Sequence, residues 1–238
     1  MTRFKPSSLV WLAMVVSLGL SMPARAETKL TIVALGDSTT AGTPYFLSPA
    51  EDPPEGSGIR EAPYTYWMMK SRPSWNVINR GVNGQRSGEI LGRFESDVLP
   101  YKPDLLIVLA GVNDLYQGYP ARVVQENLQR IYEKAGSNGI SVMACTIIPY
   151  NGMNAGARSR MKEVNDWIRN YSAENRIGFC DLFAAAEDPE NPFHLAGTED
   201  GLHPDRDTYR KMGEALVEAV ERRPGFKAVE EGLSPPGG

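Results

Sequence analysis

Apolar runs and stretches with a helical apolar period take turns along this chain. Leu30–Leu35, Trp75–Asn79, Leu105–Ala110, Ile140–Ile148 and Ile177–Leu182 are short, almost uninterrupted apolar runs. Runs of that length predict strands covered on both faces, since a half-exposed strand would alternate with polar residues. Between them, side chains recur at intervals of three and four. Ile90, Leu91, Phe94, Val98 and Leu99 form one such stripe, and Val123, Val124, Leu128, Ile131, Tyr132 and Ala135 a second. Met161, Val164, Trp167, Ile168 and Tyr171 form a third, and Tyr209, Met212, Leu216, Val217 and Val220 a fourth. Each stripe predicts an amphipathic helix packed on a core. Strands alternating with helices predict an α/β domain with a parallel sheet and helices on both of its faces.

Two ends and one connection depart from this rhythm. Arg3 and Lys5 precede an apolar run from Leu9 to Leu20, and Ala24-Arg25-Ala26 supplies small residues around a cleavage point. That pattern predicts a secretory signal peptide over residues 1–26. The run falls short of the ~20 residues needed to cross a bilayer, so no stable membrane span is expected in the mature chain. The product is expected to be periplasmic or extracellular. The domain then covers residues 27–223, and the Pro-, Gly- and Glu-rich residues 224–238 are expected to form a disordered tail. The segment from Thr43 to Pro63 holds Pro44, Pro49, Pro53, Pro54 and Pro63. It is too long for an ordinary connection and is expected to be a functional lid or a disordered excursion. A second long loop, Pro149 to Gly156, follows the fourth run.

The chain carries 25 basic and 29 acidic side chains, a net charge of -4. The leader holds only cations, so its loss makes the remainder more acidic. Without a basic stripe there is no basis for nucleic-acid binding. Cys145 and Cys180 both sit in apolar runs, where a free buried thiol is expected over a disulfide. No Cys/His cluster has ligand spacing, so neither metal nor cofactor is expected.

Ligands of open parallel sheets bind beyond the carboxyl ends of the strands. Four polar or glycine-rich motifs fall there: Gly36-Asp37-Ser38, Gly81-Val82-Asn83-Gly84, Gly111-Val112-Asn113-Asp114 and, after the fifth strand, Asp200-Gly201-Leu202-His203. A serine hydroxyl becomes nucleophilic only beside a base. The chain has two histidines, His194 and His203. Only His203 has an aspartate, Asp200, three residues before it to hold its ring.

Together these motifs resemble the SGNH hydrolases, the subgroup of GDSL esterases and lipases named for a Ser, a Gly, an Asn and a His. The likeness runs from Leu30 to about Val220. It implies a flavodoxin-like α/β/α three-layer sandwich whose five parallel strands lie in the order 2-1-3-4-5. It also implies a nucleophile at Ser38, a base at His203 and a carboxylate at Asp200. The oxyanion donors would be the Ser38 N–H, a glycine N–H after strand two and the Asn113 side chain. Gly81 and Gly84 both offer that glycine, and the phase of Asn79 to Ser87 favours Gly84. Asp37 and Asp114 are expected to hold loops through side-chain to backbone bonds. Thr39 follows the serine where the family name has leucine, which leaves the substrate undetermined.

The function so implied is an exported carboxylic-ester hydrolase of the lysophospholipase, thioesterase and arylesterase branch. Its substrate would be a small-molecule, lipid or glycan ester. An apolar groove for a longer acyl chain is expected from Tyr45, Phe46 and the Pro149–Gly156 loop. The alternatives are a carbohydrate O-acetylesterase and a non-catalytic binding protein on the same fold.

Overall fold

The computed structural model describes Met1 and residues 29–223. The expected tail, and all but the first residue of the expected leader, lie outside the described residues. The central sheet has five parallel strands: β1 (Thr31–Gly36), β2 (Asn76–Gly81), β3 (Leu105–Leu109), β4 (Ser141–Cys145) and β5 (Gly178–Cys180). They lie in the order β2-β1-β3-β4-β5, the order the resemblance implies.

Period-two alternation of these strands divides the core into two layers. Val33, Leu35, Leu106 and Val108 face a cluster built from α3 (Ser87–Gly92), α4 (Phe94–Asp97), α6 (Ala121–Ser137) and α7 (Ala155–Asn175). Ile32, Ala34, Leu105, Ile107 and Leu109 face a second cluster from α2 (Tyr64–Ser71), α8 (Leu182–Ala186) and α9 (Arg206–Glu221). The remaining helices, α1 (Ser38–Ala41) and α5 (Val112–Tyr116), sit at the carboxyl ends of β1 and β3. Each large aliphatic side chain buried in these layers contributes about 1.5–3 kcal/mol.

Three expected elements change shape, and one element was not expected. The run Ile140–Ile148 is strand only over Ser141–Cys145. Ile140 N–H closes the end of α6 on the Ala135 carbonyl, 2.9 Å away. At the other end, Ile147 N–H and C=O pair with the Asn165 side-chain amide on α7 (2.8 and 2.9 Å). The expected strand Trp75–Asn79 begins and ends later, because Trp75 N–H bonds Arg72 in a turn. The stripe from Ile90 to Leu99 is two short helices and a 3₁₀ turn, broken at Gly92–Arg93. Helix α2 is absent from the sequence reading, since Tyr64-Thr65-Tyr66-Trp67-Met68-Met69 has no polar face.

Residues 43–63 are ordered, contrary to the disordered alternative. Phe46–Leu47 and Ser57–Gly58 pair as a small antiparallel ladder, and Phe46 is buried. Cys145 and Cys180 are direct neighbours on β4 and β5, both buried and free. Burial pushes the Cys145 thiol pKa up. Among the described residues no helix is long and apolar enough to cross a membrane.

Candidate active site

Ser38 stands two residues past the end of β1 and is the first residue of α1. The cap of that short helix is Asp37, whose Oδ1 accepts from Thr39 N–H at 2.9 Å. Its other oxygen is buried without a partner. Burial is the main reason the Asp37 pKa rises from 3.8 to about 6, against the hydrogen bonds from Thr39 and the attraction of His203. As first residue of its helix, Ser38 has no carbonyl one turn back to accept its N–H.

Asp200 and His203 arrive from the other end of the chain, on the loop before α9. His203 Nε2 lies 3.0 Å from Ser38 Oγ, and His203 Nδ1 lies 2.6 Å from Asp200 Oδ2. A carboxylate can only accept, so Nδ1 carries the ring proton and Nε2 is left to accept from the serine. Asp200 Oδ1 accepts the backbone N–H groups of Leu202 and His203, each at 2.8 Å. Partial burial works to raise the Asp200 pKa. The His203 ring and those two N–H groups outweigh it and bring the carboxyl down to about 2. The three-residue spacing therefore folds into a turn around one carboxylate, with the ring pinned at both ends. His194 is not part of this array: its Nδ1 meets the Pro192 carbonyl, 3.2 Å away, within its own strand.

The two candidate glycines separate clearly. A Cβ on Gly81 would stand 2.1 Å from Ala41 N, so this glycine is required for α1 to pack on the end of β2. Gly84 has a φ of +72° and open space around it, a conformation that glycine adopts without strain. Asn113 lies in the first turn of α5. Its Nδ2 donates to the Gln85 carbonyl at 2.9 Å, which fixes the amide orientation and leaves a second hydrogen for another acceptor. Asp114 binds the same loop one step further on, accepting Ser87 N–H and Ser87 Oγ, both at 2.8 Å. Burial raises the Asp114 pKa against those bonds. Of the two aspartates expected to hold loops, Asp114 does so, while Asp37 caps α1.

Three contributors are missing from the sequence reading. Arg93 Nε donates to Gln85 Oε1 (2.6 Å), while its terminal nitrogens reach Arg80 O (2.8 Å), Gly36 O (2.5 Å) and Asp97 (2.5 Å). This cation thus joins the ends of β1 and β2 to the Gly84 loop. The signal for it was a charge inside an apolar stripe, which burial forces into multiple hydrogen bonds. Asn151 N–H bonds Gly201 O at 2.7 Å and ties the loop after β4 to the histidine loop. Glu51 grips Asn83 from the proline-rich segment, and no local pattern announces it.

A parallel sheet covered on both faces, with serine, histidine and aspartate chained along its carboxyl rim, is an arrangement found among serine hydrolases. The chain belongs to one such group, the GDSL-like Lipase/Acylhydrolase family, whose model matches residues 34–211. An arylesterase from Vibrio mimicus is 29 % identical over 141 residues, 59 % of this chain and 65 % of that one. The matched stretches span 48 % and 65 % of the first two curated relatives. Among solved structures, one from Desulfitobacterium hafniense DCB-2 named for the lipolytic G-D-S-L family has a TM-score of 0.66 at 26 % identity, covering 79 % of this chain and 98 % of that one. An acetylxylan esterase from Geobacillus stearothermophilus shares the fold, with a TM-score of 0.64 at 20 % identity over 80 % of this chain and 93 % of that one.

Proposed function

We propose that this protein is an exported serine esterase that cleaves carboxylic esters through an acyl-enzyme. The observation that carries the reading is the unbroken chain Ser38 Oγ, His203 Nε2, His203 Nδ1, Asp200 Oδ2, at 3.0 and 2.6 Å. In this mechanism Ser38 Oγ attacks the ester carbonyl as His203 Nε2 takes its proton. Negative charge on the former carbonyl oxygen is met by the Ser38 and Gly84 N–H groups and by Asn113 Nδ2. His203 then protonates the departing alcohol, leaving the acyl group on Ser38. Water repeats the sequence with the same base and frees the acid. Asp200 stabilises the imidazolium in both halves. Export is supported by the leader pattern over residues 1–26.

A second reading, the carbohydrate O-acetylesterase, gains from one observation. Phe46 is buried beneath its own ladder, and the Tyr45 hydroxyl is bound to Glu199 at 2.6 Å. The two aromatic residues on which a groove for long acyl chains was expected therefore have other work. In the Pro149–Gly156 loop, Tyr150 and Met153 are buried as well. A small acyl pocket fits this better than a lipid groove.

The test is a series of p-nitrophenyl esters from acetate to palmitate, assayed on Glu27–Gly238 beside Ser38→Ala. Hydrolysis that disappears in Ser38→Ala supports the esterase. A rate that falls steeply beyond acetate favours the acetylesterase, and a rate that holds to long chains favours the lipase-like branch. Activity that persists in Ser38→Ala sinks the serine mechanism.

A further inference from the structure

Gly84 stands at the apex of a loop and has no side chain to hold it. Where its N–H points depends on the peptide plane between residues 83 and 84, hence on how Asn83 is oriented. Asn83 is fixed at both its backbone and its side chain by one carboxylate. Its N–H donates to Glu51 Oε1 at 2.9 Å, and its Nδ2 reaches Glu51 Oε1 and Oε2 at 2.9 and 2.8 Å. Its Oδ1 accepts from Thr43 Oγ1 at 2.5 Å. Ser48, fully buried in the same segment, donates to Gly81 O at the start of the loop (2.5 Å). The Ser48 carbonyl accepts from Glu51 N–H at 2.9 Å. The other flank of Gly84 is held independently, since Gln85 is bound by Arg93 and Asn113.

We propose that the segment from Thr43 to Pro63 is a strut for the oxyanion site and that Glu51 is its positioning residue, acting through Asn83 on the Gly84 N–H. An ionised carboxylate suits the task because it accepts from the backbone and the side chain of one residue at once, and such charge-assisted bonds are the stronger kind. Catalytic donors act only when aimed at the place where charge develops. Misplacing one by about 1 Å costs on the order of 100-fold in rate. The strut rests on the reading of Gly84 as an oxyanion donor in ester hydrolysis.

The experiment compares wild type, Ser38→Ala, Glu51→Ala, Glu51→Gln and Arg60→Ala on p-nitrophenyl acetate. It also measures inhibition by a trifluoromethyl ketone, to which Ser38 Oγ would add to form a stable oxyanion. Arg60 lies in the same segment and pairs with Glu55 at the surface. Glu51→Ala should lower kcat about 10- to 100-fold with KM within about twofold, and should weaken the ketone by a similar factor. Glu51→Gln keeps one acceptor oxygen and should recover part of the loss, while Arg60→Ala should match wild type. Wild-type kcat and ketone affinity in Glu51→Ala would overturn the strut, as would a lowered melting temperature with kcat/KM unchanged. Loss of kcat with full ketone affinity would also count against it. Equal activity in wild type and Ser38→Ala would be a different failure, that of the esterase reading, and would take the strut with it.

Discussion

Asn113 shows how much chemistry one side chain can be given by its surroundings. Its amide is held on the Gln85 carbonyl, which on the proposed mechanism leaves the second hydrogen preorganised for the oxyanion. Asn113→Ala is therefore expected to lower kcat by about 10²–10³ with little change in KM. Steady-state kinetics at saturating ester check this, and a change in stability with unaltered turnover would make the residue structural. The histidines give a paired test. His203→Ala should lose nearly all activity and His194→Ala almost none, because only His203 reaches Ser38.

At the scale of elements, the site is a set of loops locked to one another by hydrogen bonds, most of them from polar side chains. Asp114 holds Ser87, Asn113 holds Gln85, Arg93 spans three strand and loop ends, and Asn151 ties its loop to Gly201. Asn165 does the same for the segment after β4, satisfying both polar groups of Ile147. Asn165→Leu should destabilise the fold by roughly 1–3 kcal/mol, because it leaves that buried N–H and C=O without partners. Urea unfolding, read as a shift in midpoint at constant slope, measures it. These locks also explain which elements could be read in advance. The long stripes on α6 and α9 follow the sequence closely, because apolar burial alone decides them. Strand ends did not, since Ile147 and Ile140 are apolar residues whose backbone partners lie on other elements. The stripe at residues 90–99 misled because the helix breaks at Gly92–Arg93, where the largely buried Arg93 side chain turns to bond the distant Arg80 and Gly36 carbonyls.

For the molecule as a whole, two carboxyl groups at the site act on stability in opposite directions. The Asp200 pKa is lowered from 3.8 to about 2 in the fold, so its contribution is present above 3.8 and lost as pH falls through about 2. The Asp37 pKa is raised from 3.8 to about 6. The folded state therefore favours its protonated form, and the stability it contributes below 3.8 is lost as pH rises through about 6. That burial penalty amounts to roughly 3 kcal/mol above pH 6. Asp37→Asn keeps an N-cap acceptor and removes the buried charge. Its melting temperature relative to wild type should rise between pH 4 and pH 8. An offset that stays constant over that interval would show that the fold does not raise the Asp37 pKa.

The residues themselves determined the class of fold, because five doubly covered apolar runs alternating with helical stripes have few ways to bury their surface. They also marked the serine, histidine and aspartate that the fold chains together, since Gly-Asp-Ser and Asp-x-x-His are short-range patterns. Tertiary structure alone decided which glycine is open and which is packed, and that Tyr45 and Phe46 are committed to the framework. It alone made the proline-rich segment an ordered brace. These outcomes depend on contacts between residues tens of positions apart, such as Glu51 with Asn83 and Gly36 with Arg93. Distance along the chain hides such pairs, and only the closed fold brings their charges and carbonyls together.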